Sequence, residues 1–347
     1  MIDSLHPLTT DSSPGFNGDL QRAFEYYAKL GVRIEIHEEL LRKFTGFSRQ
    51  ELLDVVPEGA FCVGSKIRYM ALVMSGLTFE PYEWMVGIRK ETFNDPIQCL
   101  FLGIKQSDLD IVCSIEDVPG QALATLSSSY PGMAYYHLDH ENGPIDYHVY
   151  PSVAGLNDPE KLFLTAMPSI FHTLKLKREG DSFFLEDPFD VLGLVVSNGK
   201  RRVFDASADA VNPLMLEALP LFPPLYRMFR VISACLHEAG RLDRYGPKQT
   251  LQKFRAVMTD SHIDEIENLL KSDHAVRKSY SRYLTHLAKS KVFDWQLGMQ
   301  NLREVNIRLW QLFDDLIYSD YRKSLPPLMN YNRIIDDNVL TEPISIC

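Results

Sequence analysis

The pattern of apolar and polar residues predicts that the chain begins with a short set of helices. Residues 1–17 are rich in Ser, Thr, Pro and Gly and form a loose lead-in. Apolar residues then recur at helical spacing from Leu20 to Leu30, and a second helix is predicted over His37–Phe44. Ser48-Arg-Gln-Glu51 has the form of a capping box that opens a third helix. We therefore interpret residues 1–54 as a loose segment followed by helices.

Short apolar runs broken by turn residues fill the middle of the chain, over residues 55–210. This pattern of short apolar runs and turns predicts an α+β domain. The predicted strands are Ala60–Val63, Gln98–Leu102, Leu109–Ser114, Ala134–Leu138, Ile145–Tyr150 and Ile170–Leu176. Glu141-Asn-Gly143 lies between two of these runs, and an Asn-Gly pair in that position predicts a β-hairpin.

Long amphipathic stripes replace the strands after about residue 212. One stripe runs from Leu225 to Leu242 and another from Leu302 to Ile317. They predict a mostly helical domain over residues 211–335, followed by a tail over residues 336–347. Four prolines between residues 212 and 224 favour a domain boundary there.

Composition and charge narrow the classes of function. The chain has 347 residues, 45% of them hydrophobic, and 36 Lys and Arg against 46 Asp and Glu give a net charge of −10. These values fit a globular protein with a real core. They disfavour a protein that holds long nucleic acid mainly by neutralising phosphates. No apolar run reaches the roughly 20 residues of a membrane span and no signal-peptide pattern is present, so we expect a cytoplasmic protein with no membrane partner.

The segment Ser107-Asp-Leu-Asp-Ile-Val112 carries the strongest chemical signal in the sequence. On a strand, Asp108 and Asp110 project from the same face, about 6.6 to 6.8 Å apart along the chain. Two such carboxylates repel each other unless a cation lies between them, and Mg²⁺ prefers oxygen ligands of this kind. Asp146, on the second arm of the predicted hairpin, would supply a third carboxylate. The pattern thus predicts a Mg²⁺ site.

These residues resemble the Asp-hydrophobic-Asp-hydrophobic signature of the nucleotidyltransferase superfamily. The motif Ser-Asp-Leu-Asp-Ile also resembles a motif that is typical of an uncharacterised bacterial group of nucleotidyltransferase-like proteins. The resemblance covers roughly residues 55–180. It implies a nucleotidyltransferase-like mixed sheet at 55–210, in which Asp108, Asp110 and Asp146 are both the metal ligands and the catalytic residues.

The superfamily also places a Gly-Ser or Gly-Gly turn after its first strand, where backbone amides contact the nucleotide phosphates. The match here is Phe61-Cys-Val-Gly-Ser-Lys-Ile-Arg68. The resemblance therefore assigns nucleotide binding to Gly64, Ser65, Lys66 and Arg68. A helix that starts after such a turn is a physically sound anion site, because unpaired amides and the helix dipole converge there. The stretch from this turn to the aspartate pair is longer than is usual in the family, which requires an insertion through Glu80–Asp95.

The activity implied is Mg²⁺-dependent transfer of a nucleotidyl group from a nucleoside triphosphate to an acceptor, with pyrophosphate leaving. Lys175, Lys177 and Arg178 are expected to reach the triphosphate. The acceptor would be a small molecule or a protein hydroxyl. An RNA end is the least favoured acceptor, because of the net charge.

Other interpretations stay open. The aspartate pair can belong to a solvated strand edge, and Gly64-Ser65 can be a simple turn. A non-catalytic nucleotide-binding protein or a helical interaction protein would then fit the sequence. A helical metal-dependent oxygenase is a further alternative, because His262 and Glu265 lie one turn apart and His237-Glu238 lies on another predicted helix.

Overall fold

The computed structural model is of mixed α+β architecture. It describes residues 16–74, 108–130, 133–153, 156–191, 195–198, 201–204, 211–237, 249–289 and 295–321. The predicted strand Gln98–Leu102 and the predicted insertion through Glu80–Asp95 lie outside these residues.

The N-terminal helices form as predicted. They are α1 Phe16–Leu30, α2 Glu38–Thr45 and α3 Arg49–Val55. The capping box is confirmed, because the backbone N–H of Ser48 donates to the Glu51 carboxylate at 2.6 Å and the backbone N–H of Glu51 donates to the Ser48 hydroxyl at 3.3 Å. A strand that the pattern did not predict, β1 Val32–Glu35, separates α1 from α2. All four of its residues are exposed, so it carries no alternation of buried and exposed positions.

One eight-stranded sheet organises the middle of the chain, in the order β1-β8-β7-β2-β3-β6-β5-β4. Its other strands are β2 Phe61–Val63, β3 Leu109–Val112, β4 Leu126–Tyr130, β5 Met133–Leu138, β6 Ile145–Val149, β7 Lys175–Glu179 and β8 Ser182–Asp187. Strands β3 and β6 are parallel, and the other neighbours are antiparallel. A second pair, β9 Val195–Asn198 and β10 Arg201–Phe204, forms a separate hairpin.

Four of the predicted strands are confirmed as β2, β3, β5 and β6, each within two residues at either end. The predicted hairpin is the antiparallel pair β5–β6. The prediction over Ile170–Leu176 is wrong in its first half, where a 3₁₀ turn spans Ile170–Thr173 and β7 begins only at Lys175. A continuous apolar run does not distinguish these two conformations.

Within the described residues, three helices accompany the sheet, namely α4 Gly64–Met74, α5 Gly120–Leu123 and α6 Pro159–Ala166. The described residues after 211 are largely helical, as predicted. The helices there are α7 Pro213–Ala218, α8 Pro224–His237, α9 Gln249–Val257, α10 Asp260–Ser272, α11 His274–Lys289, α12 Trp295–Val305 and α13 Ile307–Tyr321. Pro213 and Pro224 begin helices, a position where the missing N–H costs nothing.

Among the described residues, two buried clusters cover the two faces of the sheet. Cys62 and Ile111 on one face pack with apolar residues of α2, α3 and α4. Phe61 and Val112 on the other face belong to a cluster that continues through α6 and the helices after residue 211. The division into domains at residue 211 stays a prediction. Within the described ranges, no helix combines the length and the apolar character that crossing a membrane requires.

Candidate metal centre

Three carboxylates converge where β3 and β6 begin and where β2 ends. Asp108 directly precedes β3, Asp110 is the second residue of β3, and Asp146 is the second residue of β6. Asp110 and Asp146 are direct partners across the parallel pair. Each of the three aspartates offers a carboxylate oxygen within 4.8 Å of the others. The structure thus brings together the three acidic residues selected from the sequence.

The sheet register places these carboxylates, because side chains alternate between its faces. Leu109 and Ile111 are buried on one face of β3, which directs Asp110 to the other. Ile145 and Tyr147 are buried on the same face of the sheet in β6, which directs Asp146 to the face of Asp110. The apolar residues between the aspartates therefore fix the side on which the carboxylates meet.

Gly64 directly follows β2 and lies next to the Asp110 carboxylate. Its φ of 85° lies in the left-handed region, and a Cβ built on it would overlap Oδ2 of Asp110. The turn thus needs glycine for its backbone angle and for the space that the Asp110 carboxylate occupies. Because α4 begins at this residue, the first amides of the helix lie beside the aspartates.

The pKa of Asp108 is raised in this group. Burial raises the pKa of Asp108 to about 6, and the negative charges of Asp110 and Asp146 add to the effect. All three carboxylates are partly buried. Such a group of like charges favours a cation between them.

The donor set fits a hard divalent cation. It consists of carboxylate oxygens, the ligands that Mg²⁺ prefers, and two oxygens on opposite sides of Mg²⁺ lie about 4.2 Å apart. Neighbouring oxygens of an octahedral Mg²⁺ lie about 3 Å apart, so aspartate oxygens that lie within 4.8 Å of one another would move closer together to share one ion. Asp108, Asp110 and Asp146 are therefore the residues that would hold such an ion.

Two histidines that the sequence analysis missed contact these aspartates. Nε2 of His148 lies 2.9 Å from Oδ1 of Asp110, and Nδ1 of His137 lies 2.7 Å from Oδ1 of Asp146. The hydrogen bond with Asp146 raises the pKa of His137. Alternation along the two hairpin arms puts both histidines on the face of Asp146, so the signal was present in the sequence.

The residues assigned to nucleotide binding have different environments. Gly64 and Ser65 form the first turn of α4 and are partly buried. Lys66 is buried, and its ammonium donates to the carbonyl of Thr45 at 2.9 Å. Burial lowers the pKa of Lys66, while Asp108 and Asp110 oppose that change. Burial also lowers the pKa of Arg68 to about 10, and Asp110 again opposes it.

Lys175 and Lys177, expected to reach the triphosphate, bind protein carboxylates instead. Lys175 contacts Glu160 at 2.8 Å and Glu186 at 2.7 Å, and Lys177 contacts Glu160 at 2.7 Å. Burial raises the pKa of Glu160, but the two lysines outweigh it and lower the pKa to about 2.

Arg178 is likewise engaged within the protein. Its guanidinium donates to the carbonyl of Leu53 at 2.6 Å and also to the carbonyl of Val56. Its contacts therefore give no support to the expected role at the triphosphate.

The alternative of a helical metal-dependent oxygenase finds little support in the described part of the chain. Nδ1 of His262 contacts the Thr259 hydroxyl at 2.8 Å. Among the described residues, the aspartate group is the one place where three potential metal ligands meet. The His237 side chain and Glu238 lie outside those residues.

Comparison with known proteins adds no relative. No family model, no curated protein and no solved structure matches this chain. The link to nucleotidyltransferases therefore depends on the signature at residues 107–112 and on the geometry around it.

Proposed function

We propose that this protein is a Mg²⁺-dependent nucleotidyltransferase with a nucleotidyltransferase-like sheet at residues 55–210. The observation that carries the proposal is the convergence of Asp108, Asp110 and Asp146 beside the Gly64 turn that opens α4. The order of elements supports it as well. A strand leads into a Gly-Ser turn and a helix, the antiparallel strand β3 carries one aspartate and directly follows another, and its parallel neighbour carries the third.

In this proposal each residue has a defined task. Asp108 and Asp110 hold divalent cation at the triphosphate, and Asp146 holds it near the acceptor hydroxyl. The cation, when bound, neutralises phosphate charge and lowers the pKa of the attacking hydroxyl. The first amides of α4, at the N-terminus of the helix, bind a phosphate oxygen. Lys66 and Arg68 add positive charge next to the carboxylates.

The substrate is a nucleoside triphosphate, and the acceptor is a small molecule or a protein hydroxyl. The net charge of −10 supports this choice over a long nucleic acid. We expect the reaction to take place in the cytoplasm.

The test is incubation of the purified chain with Mg²⁺ and each α-³²P-labelled nucleoside triphosphate, in the presence of a cell extract as the source of acceptors. Released pyrophosphate and label transferred to protein or small molecules are measured. Asp110→Asn and Asp146→Asn should abolish both signals. Asp181→Asn, at an exposed turn between β7 and β8, is the matched control and should leave them unchanged.

Two outcomes would contradict the proposal in different ways. If Asp110→Asn retains the wild-type rate, the aspartates are not the catalytic residues. If the wild-type chain binds MgATP but transfers nothing, it is the non-catalytic nucleotide-binding protein that the sequence also allows.

A further inference from the structure

The two histidines beside the aspartates lie behind the ligands, on the neighbouring hairpin strands. Each contacts Oδ1 of a single aspartate, His148 that of Asp110 and His137 that of Asp146. Neither belongs to the group whose ligand atoms all lie within 4.8 Å of one another. They therefore contact the ligands and do not complete the ligand set.

His148 is held rigidly. It is only 8% exposed, and its ring packs against Tyr135 with the ring centroids 4.3 Å apart. Its backbone is paired with Val112 in the parallel ladder, and its carbonyl accepts from the N–H of Cys113 at 3.3 Å. With backbone and ring both fixed, the position of Nε2 is fixed too.

This arrangement confines the Asp110 carboxylate from two sides. Oδ1 is bonded to His148, and Oδ2 lies against the Cα of Gly64, in the space that a Cβ would fill. When the Asp110 carboxylate is ionised it only accepts hydrogen bonds, and Nε2 of His148 is then the donor. The carboxylate thus keeps one orientation before any cation binds, which avoids the entropy cost of ordering it on binding.

His137 acts on Asp146 in the same way but less rigidly. Its side chain is partly exposed, and its second ring nitrogen lies 3.2 Å from the exposed carboxylate of Asp139. Water competes for a bond in this position, so we expect His137 to contribute less than His148 does.

We propose that His148 is a positioning residue that orients the Asp110 carboxylate for a divalent cation, and that His137 orients the Asp146 carboxylate in the same way but less strongly. The inference rests on the proposed function, because it takes the aspartates as cation ligands. Outer hydrogen bonds of this kind typically change metal affinity by about 10- to 100-fold when removed.

The test measures Mn²⁺ affinity of the full chain by titration with electron paramagnetic resonance detection of free ion. His148→Phe keeps a ring against Tyr135 but removes the donor, and should weaken Mn²⁺ binding by about 10- to 100-fold. His148→Gln offers an amide donor, and its Mn²⁺ affinity should stay within about threefold of wild type, a small change beside the loss of about 10- to 100-fold. His137→Phe should lose less than His148→Phe.

Tyr147→Phe is the matched structural control. It changes the neighbouring residue, on the opposite face of β6, and removes a buried hydrogen bond to the carbonyl of Val55. Thermal unfolding in EDTA should therefore show a loss of stability, while Mn²⁺ affinity stays at the wild-type value. A purely structural role for His148 would make its variants follow the same pattern as Tyr147→Phe.

The outcomes separate the inference from the function it rests on. If wild type binds Mn²⁺, Asp110→Asn does not, and His148→Phe binds as wild type does, the positioning role is wrong and the cation site stands. If wild type fails to bind Mn²⁺, or Asp110→Asn binds it equally well, the cation site itself is wrong and the inference falls with it.

Discussion

The close approach of Gly64 to Asp110 can be tested by adding one methyl group. In Gly64→Ala, an alanine must adopt a φ of 85°, and its Cβ must displace Oδ2 of Asp110. The left-handed backbone costs an alanine about 1–2 kcal/mol. Displacing the carboxylate also breaks its bond with His148, and hydrogen bonds to charged groups contribute about 1.5–3 kcal/mol. We expect Gly64→Ala to lower the free energy of unfolding by about 2.5–5 kcal/mol, from these two costs together.

Gly59 supplies the matched control. Its φ is 75°, and no heavy atom lies within 4 Å of a Cβ built on it. Gly59→Ala should therefore cost only the backbone part, about 1–2 kcal/mol. Urea unfolding in EDTA, followed by far-ultraviolet circular dichroism, measures both variants without any contribution from bound cation.

A double-mutant cycle isolates the contact itself. When Asp110→Ala has removed the carboxylate, Gly64→Ala should cost no more than Gly59→Ala does. The reasoning is refuted if Gly64→Ala costs as little as Gly59→Ala in the wild-type background. It is also refuted if the cost of Gly64→Ala is the same with and without the Asp110 side chain.

Three further predictions concern stability. Glu160→Gln should lower the free energy of unfolding by at most about 3 kcal/mol at pH 7 and by less than half of that at pH 3. A carboxyl group whose pKa is lowered by folding stabilises the protein above its unfolded pKa of 4.5, and this stabilisation is lost as the pH falls to about 2. Urea unfolding at both pH values measures the cost, and an equal cost at the two pH values would contradict the prediction. Tyr147→Phe should cost about 1–2 kcal/mol, since it leaves the carbonyl of Val55 unpaired; an unchanged unfolding midpoint would contradict it. Ser48→Ala should cost about 1 kcal/mol by the same assay through loss of the α3 cap, and a cost equal to that of a surface serine substitution would count against the capping box.

The sequence predicted the elements whose signals are local. The capping box at Ser48 and the Asn-Gly turn of the hairpin need only a few adjacent residues, and both formed as expected. Strand β1 was missed because its residues are all exposed and because, in the part of the chain that the structure describes, it lies at the edge of the sheet and pairs with β8. The 3₁₀ turn at Ile170–Thr173 was missed because an apolar run suits a strand equally well.

The candidate site was predictable as a set of acidic residues, but its surroundings were not. Strand alternation put Asp108 and Asp110 on one face, whereas the pairing of β3 with β6 is a long-range property that no local pattern contains. The same limit applies to the lysines. Lys175 is basic in the sequence, but only the folded sheet shows that Glu160 and Glu186 already bind it.

Contacts on the opposite face of the sheet oppose a shift in the register of β6, which would move Asp146 away from the site. A shift of one residue in β6 would turn Asp146 into the core and bring Tyr147 to the site, because side chains alternate along a strand. Burial of Ile145 and the 2.8 Å bond from the Tyr147 hydroxyl to the carbonyl of Val55 both oppose that shift. Leaving the hydroxyl of Tyr147 and the carboxylate of Asp146 without their partners would cost several kcal/mol. The convergence of the three carboxylates is therefore maintained by apolar packing and by the Tyr147 hydrogen bond on the opposite face of the sheet.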